Sequence, residues 1–164
     1  MASVIQVDSI QTSGGTSAIA LNSSGYITKP SQPCFSVRRN AGLVAAATII
    51  VWDQVFFNVG SGYNSSNGYF TAPVTGKYFF TYWALSNNTA NWFIQSWWKN
   101  GARYNNSSGT PYVQQWCYAN GNDTTNSASI LMDLAAGDNM YLYNDNYGPM
   151  YGSGYNNFSG WLVA

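Results

Sequence analysis

The interval pattern from Trp52 to Tyr82 constrains this chain more than any other feature. Trp52, Asn58, Tyr63, Phe70, Gly76, Tyr78, Phe80 and Tyr82 follow one another there. Phe70 opens a strand, Ala72-Pro73-Val74-Thr75-Gly76 reads as a turn, and Tyr78, Phe80 and Tyr82 alternate along one face of the next strand. Successive strand side chains point to opposite faces, so a period-two row of large aromatics beside a Pro/Gly turn belongs in a β-sandwich core. Phe79 and Trp83 fall on the opposite face of the same strand. A strand with one face in the core and one in water alternates cleanly; this one does not. The final strand, Asn157 to Val163, repeats the pattern, with Phe158 and Leu162 opposed to Trp161 and Val163. In a two-layer sandwich that second face needs a cover of its own. Burying one such aromatic contributes about 1.5–3 kcal/mol, and several left together in water invite aggregation. Phe79, Trp83, Trp161 and Val163 are therefore the expected self-association surface. A wide aromatic surface for a ligand is the alternative for these two strands.

The chain reads as strands from Cys34 onward. They are expected at Phe35 to Arg39, Thr48 to Val55, Tyr69 to Ala72, Lys77 to Leu85 and Trp92 to Lys99, then at Tyr112 to Tyr118, Thr125 to Leu134, Met140 to Asn144 and Asn157 to Val163. Turns at Lys99-Asn100-Gly101, Asn120-Gly121 and Ala136-Gly137-Asp138 separate the later ones. Ala41 to Thr48 is Ala-rich, but Gly42 and the β-branched flanks favour a loop over a helix. The spacing of the Trp52–Tyr82 markers resembles the signature of the globular head of complement component one, subcomponent q, which is related to tumour necrosis factor. All the marker positions fit except Trp52, which replaces the usual Phe. Leu131-Met132-Asp133-Leu134, Gly137-Asp138 and Phe158-Ser159-Gly160-Trp161-Leu162 extend the likeness over residues 35–164. The resemblance implies an all-β fold, an antiparallel ten-stranded jelly-roll sandwich assembled as a homotrimer. Threefold symmetry comes from the resemblance alone; periodicity asks only for an oligomer.

Residues 1–33 differ from the head at 34–164. Short apolar segments (Val4 to Val7, Ala18 to Leu21, Tyr26 to Thr28) alternate with turns at Ser13-Gly14-Gly15 and Asn22-Ser23-Ser24-Gly25. Such small strands bury too little apolar surface to fold alone and need neighbouring copies or a docking surface; a disordered tail is the other reading. The run resembles leader segments of fibre-like virion proteins of tailed phages, which end in a Pro-bearing hinge like Lys29-Pro30-Ser31-Gln32-Pro33. That resemblance makes residues 1–33 an anchor or shaft toward other virion proteins. The start of the chain has no basic region followed by an apolar segment, so no secretory signal is visible. A virion-surface protein made in the host cytoplasm reconciles this with a head type usually found outside cells.

The residue inventory excludes several functions. Charged residues make up 7% with zero net charge, which leaves no polybasic footprint for nucleic acid or an anionic membrane. The longest apolar run, Leu43 to Trp52, is too short to span a bilayer. The absence of histidine removes the commonest general base and transition-metal ligand. No Glu or well-placed Lys replaces it beside the abundant hydroxyls, so no enzyme is expected. Cys34 and Cys117 form no metal or redox motif and read as buried free thiols, with a disulfide as the alternative.

Two loops suit binding. Ala119 to Thr124 is polar, and Asn144 to Asn157 spreads Tyr147, Met150, Tyr151 and Tyr155 among glycines. Connections in an antiparallel jelly roll alternate between its two ends, which places both loops opposite the incoming N-terminal segment. Tyr147, Tyr151 and Tyr155 are the candidate stacking platforms for a cell-surface glycan, with Asn122, Asp123 and Asp145 as hydrogen-bond partners. Asp123 and Asp145 are alternatively acids toward Ca²⁺, whose six or more oxygens must then come from several loops or chains; otherwise no cofactor is expected. Loops that merely solvate and pack the apex are the remaining reading. The expected function is a non-enzymatic fibre or head-fibre of a tailed phage that attaches to host glycan. A capsid decoration protein and a secreted lectin-like adhesion module are the alternatives.

Overall fold

The computed structural model describes residues 7–87, 90–104, 114–120, 123–145 and 148–164; among them the regular elements are β-strands. A three-stranded antiparallel sheet comes first: β1 (Ser9–Gln11), β2 (Ser17–Leu21) and β3 (Ile27–Thr28). Asn22 Oδ1 closes its second turn by accepting from the amides of Ser24 and Tyr26 at 3.0 and 2.9 Å. Ile10, Leu21 and Ile27 remain exposed, so this sheet has no core of its own. The Val4 to Val7 segment lies outside the described residues except for its last position.

The head continues through β4 (Cys34–Arg38), β5 (Thr48–Ile49), β6 (Gln54–Val59), β7 (Tyr63–Asn64), β8 (Tyr69–Thr71) and β9 (Gly76–Leu85). β10 (Ala90–Lys99), β11 (Ala102–Arg103), β12 (Gln114–Asn120), β13 (Thr125–Leu134), β14 (Asn139–Asn144) and β15 (Asn156–Leu162) complete it. One sheet has the order β13-β9-β15-β4-β6; the other runs β11-β10-β14-β8-β7, with β12 also on β10 and β5 on β14. All pairings are antiparallel.

The two sheets close on an aromatic core. Tyr78, Phe80 and Tyr82 of β9 point into it with Phe35, Phe70, Phe93, Trp97 and Phe158. Phe35 is its hub, stacked on Tyr63 and Phe70 at 5.2 Å and meeting Phe158 edge-on at 4.9 Å. The sequence intervals now have physical causes. Asn58 clamps Tyr63 by donating to its carbonyl at 2.8 Å and accepting from its amide at 3.1 Å. The Tyr63 hydroxyl then accepts from the Trp52 amide at 3.0 Å and donates to the Trp52 carbonyl at 3.1 Å. Gly76 is required by close approach: a Cβ there meets the Ala164 carbonyl oxygen at 2.6 Å. Gly160 is required likewise, because a Cβ lies 2.4 Å from the Phe80 ring.

One strand expectation is corrected. Thr48 to Val55 is not continuous; it splits into β5 and the start of β6, and β6 runs on to Val59. Between them, side chains replace the ladder. The Asp53 carboxylate accepts from the amides of Asn40 at 2.7 Å and Ala41 at 3.0 Å, and Arg39 Nη1 holds the Val51 carbonyl at 3.1 Å. Ile50 and Trp52 are still fully buried, so the period-two pattern survives without a strand to carry it. Cys34 and Cys117 are free thiols, half-buried where the sequence suggested full burial. Cys117 donates to the Phe93 carbonyl at 3.5 Å, and burial pushes its thiol pKa up, away from thiolate reactivity.

Candidate functional site

The outer face of the five-stranded sheet collects the residues expected for self-association. Phe79 of β9 is half-buried and lies opposite Trp161 of β15 on one side and Leu131 of β13 on the other. The Phe79 and Trp161 rings are 4.8 Å apart, tilted by 40°. Trp161 and Trp83 are each 42% exposed, Val163 48% and Leu131 55%. On β6, Phe57 opposite Ser36, and Phe56 beneath Arg38, extend the apolar surface to the sheet edge. A row of hydroxyls crosses the middle of the face: Ser129 donates to Thr81 at 2.9 Å, and Ser159 to Ser36 at 3.0 Å. Beside these small side chains the surface is hollowed, with a cavity of about 670 Å³ lined by Cys34, Ser36, Phe57, Ser159 and Trp161. Leu131 was not singled out from the sequence, although its alternation with Met132 places it outward.

The loop end is built by buried amides. Asn144 Nδ2 donates to the carbonyls of Ala45 and Gly148, each at 3.0 Å. Asn156 Oδ1 accepts from the Arg39 amide at 2.6 Å, and its Nδ2 donates to the Tyr151 carbonyl at 3.0 Å. Ser86 and Thr124 meet here at 2.8 Å, and Val44 pairs with Met150 at 2.9 Å. Pro33 accepts from the Leu162 amide at 2.9 Å at the opposite end, beside the turn into β9. The two loops thus meet away from the N-terminal segment.

Of the loop candidates, Tyr151 and Tyr155 come together, with ring centroids 6.0 Å apart at 62°. Tyr151 is half-buried and Tyr155 is 56% exposed. Asp123 is exposed on the neighbouring loop. Tyr147 and Asn122 lie outside the described residues. Asp145 is placed differently from these. It is buried beneath the outer sheet face, where Arg103 Nη2 meets its carboxylate at 2.6 Å. That ion pair takes Asp145 out of a surface-exposed set of hydrogen-bond partners. Among the described residues no three of Asp and Cys gather where they could hold a metal.

A second aromatic face, missed from the sequence, covers the outside of the other sheet. Trp92 and Trp98 of β10, Trp116 and Tyr118 of β12, Tyr141 and Tyr143 of β14 and Tyr69 of β8 compose it. Tyr69 stacks on Tyr141 at 4.5 Å and 8°, Trp98 stacks on Tyr141 at 5.8 Å, and Arg103 lies over Trp98 at 5.8 Å. Burial, with the neighbouring Tyr69 phenol, pushes the Tyr141 pKa up to about 12. The signal was present in the adjacent pairs Trp92-Phe93 and Trp97-Trp98, which give β10 two aromatic faces as Tyr82-Trp83 does for β9.

Comparison with known proteins agrees with this architecture. Mouse collagen alpha-1(X) chain is 28% identical over 134 residues, 79% of this chain and 18% of that one, so the chain spans about a fifth of that relative's length. The globular domain of zebrafish complement 1qA superposes with a TM-score of 0.62 at 19% identity, covering 81% of this chain and 98% of that structure. Murine APRIL at pH 8.5 gives 0.58 at 13% identity, covering 80% and 99%. Eiger TNF from S. frugiperda gives 0.53 at 12%, covering 81% and 93%. At such identities the structural likeness establishes the jelly-roll fold. The model of the C1q domain matches residues 34–163, the head from its first strand to its penultimate residue. This chain belongs to the C1q domain family.

Proposed function

We propose that the chain is a non-enzymatic attachment protein of a phage virion, a homotrimeric head held by its N-terminal segment. The observation that carries self-association is the apolar face of Phe79, Trp83, Leu131, Trp161 and Val163, spread over one sheet, and the number three comes from the family resemblance. A second copy is the cover that removes such a surface from water at no cost in new chemistry. The N-terminal sheet supports the anchor role. Its exposed Ile10, Leu21 and Ile27 lack an internal core, and a larger particle supplies the docking surface they need. The loop end then projects away from the particle, with Tyr151 and Tyr155 on it, Tyr147, Asn122 and Asp123 in the same loops, and Asp145 held back by Arg103.

Sedimentation of the whole chain at micromolar concentration tests the assembly; a well-folded monomer would defeat it. Removal of residues 1–32 leaves Pro33 to hold β15, and the head should stay folded and trimeric while incorporation into the particle is lost. Host adsorption by a virion carrying Tyr147→Ala, Tyr151→Ala and Tyr155→Ala should fall. Unchanged adsorption would move the role to capsid decoration.

A further inference from the structure

We infer that the outer face of the second sheet is a binding platform for a neutral oligosaccharide, centred on Trp92, Trp116 and Tyr118. β10 and β12 place Trp92 directly opposite Tyr118 and Ile94 opposite Trp116. The Trp92 ring meets Tyr118 at 5.2 Å and 71°, and Trp116 at 5.6 Å and 74°. Near-perpendicular rings make a stepped surface. The lower part of the same face is already occupied by its own contacts: Tyr69, Tyr141 and Trp98 stack, Trp98 Nε1 donates to Ser96 at 2.9 Å, and Tyr143 donates to the Ala47 carbonyl at 2.7 Å. Trp92, Trp116 and Tyr118 remain 41, 49 and 52% exposed above it.

Size and charge select the occupant. An aromatic side chain offers about 150–250 Å², so roughly half of three such rings leaves about 300 Å² open. A stable protein interface takes about 800 Å² from each partner. Among the described residues the cluster is smaller than such an interface and fits a ligand of a few rings. Its exposed members are Trp and Tyr only, each with a polar edge beside its apolar face, whereas the other sheet exposes Leu and Val as well. Among the described residues, the charges on this face are Arg103 and Asp145, bound to each other at 2.6 Å. An anionic ligand meets no unneutralised cation there. A neutral sugar chain, with apolar ring faces and hydroxyl rims, matches all three properties.

The platform faces outward in an assembly built on the five-stranded sheet, so its use on the particle rests on the function proposed above, while the binding itself does not. Titration calorimetry of the full chain with cellohexaose, maltohexaose and chitohexaose tests it, with a heparin hexasaccharide as the anionic control. At least one neutral sugar should bind. Trp92→Ser, Trp116→Ser and Tyr118→Ser should each weaken it about tenfold or more, with sedimentation unchanged. Val74→Ser, in the exposed turn before β9 and away from this face, should leave that affinity as it was. Silence from all three neutral sugars, or heparin binding as tightly as they do, would overturn the platform. Dissociation of the trimer by Trp92→Ser would make this face the subunit interface and overturn it too. A wild-type monomer that binds a neutral sugar through Trp92 would sink the assembly and keep the platform.

Discussion

The two outward sheet faces are both aromatic, and they differ in how much of that surface the protein uses itself. On the five-stranded sheet, Phe79 and Trp161 pair, but Trp83, Leu131 and Val163 stay open across several strands. On the other sheet, Tyr69, Tyr141, Tyr143 and Trp98 are locked together and tied to the Arg103–Asp145 ion pair, while Trp92, Trp116 and Tyr118 above them stay about half exposed. A broad face with few ties among its rings suits a second copy of the same surface. A face that is rigid and mostly self-satisfied suits a small ligand. Aromatic content alone does not separate the two cases; the ties between the rings do.

The comparison breaks most visibly at Phe79 and Trp83. Replacing both with Ser should dissociate the assembly, weakening it by at least about a hundredfold, since each loses roughly 1.5–3 kcal/mol of apolar burial. Sedimentation equilibrium checks this, and an intact trimer would show that the five-stranded face is not its interface. Arg103→Ala comes next. Asp145 is buried and keeps less compensation without the guanidinium, so stability should fall by about 1–3 kcal/mol in urea unfolding. A cost near zero would show that the second face is not held by that pair. Lys77→Ala, on the rim of the five-stranded sheet, is the matched control. Its 2.6 Å pair with Asp133 is open to solvent, and the change should stay within about 0.5 kcal/mol.

The smallest effect lies at the end of the sandwich near the C-terminus and bears on neither face. Lys99 and Asn100 bond to Asp138, and with the Ala135 amide they hold its carboxyl at about 2, below the usual 3.8. A depressed folded pKa contributes stability that is present above about pH 4 and is lost as pH falls through about 2. Asp138→Asn should flatten that part of the Tm-versus-pH curve and leave the Tm little changed near pH 7. An unaltered acid limb would place the acid sensitivity at another carboxylate.

Much of the head was legible because its cause is local. The Tyr78, Phe80, Tyr82 row and its Phe79, Trp83 counterface follow from the two-residue strand period, and β13 emerged with the bounds expected, Thr125–Leu134. The antiparallel alternation of connections also placed both loops at one end. The break between β5 and β6 was not legible. It depends on Asp53 capping the amides of Asn40 and Ala41 and on Tyr63 reaching Trp52, bonds that exist only once distant segments are packed.

The sequence by itself determined the periodicities: which strands are apolar on one side or both, and where turns interrupt them. Those properties are written into residues one or two apart, and backbone geometry translates them directly. Tertiary structure alone decided what those faces meet. Asp145 reads in sequence as a loop carboxylate beside candidate tyrosines, yet strand order brings Arg103 to it and buries the pair. Trp116 and Tyr118 join Trp92 in one cluster only because β12 pairs with β10 in that register. Register and strand order arise from the packing of the whole core, through contacts far apart in the chain.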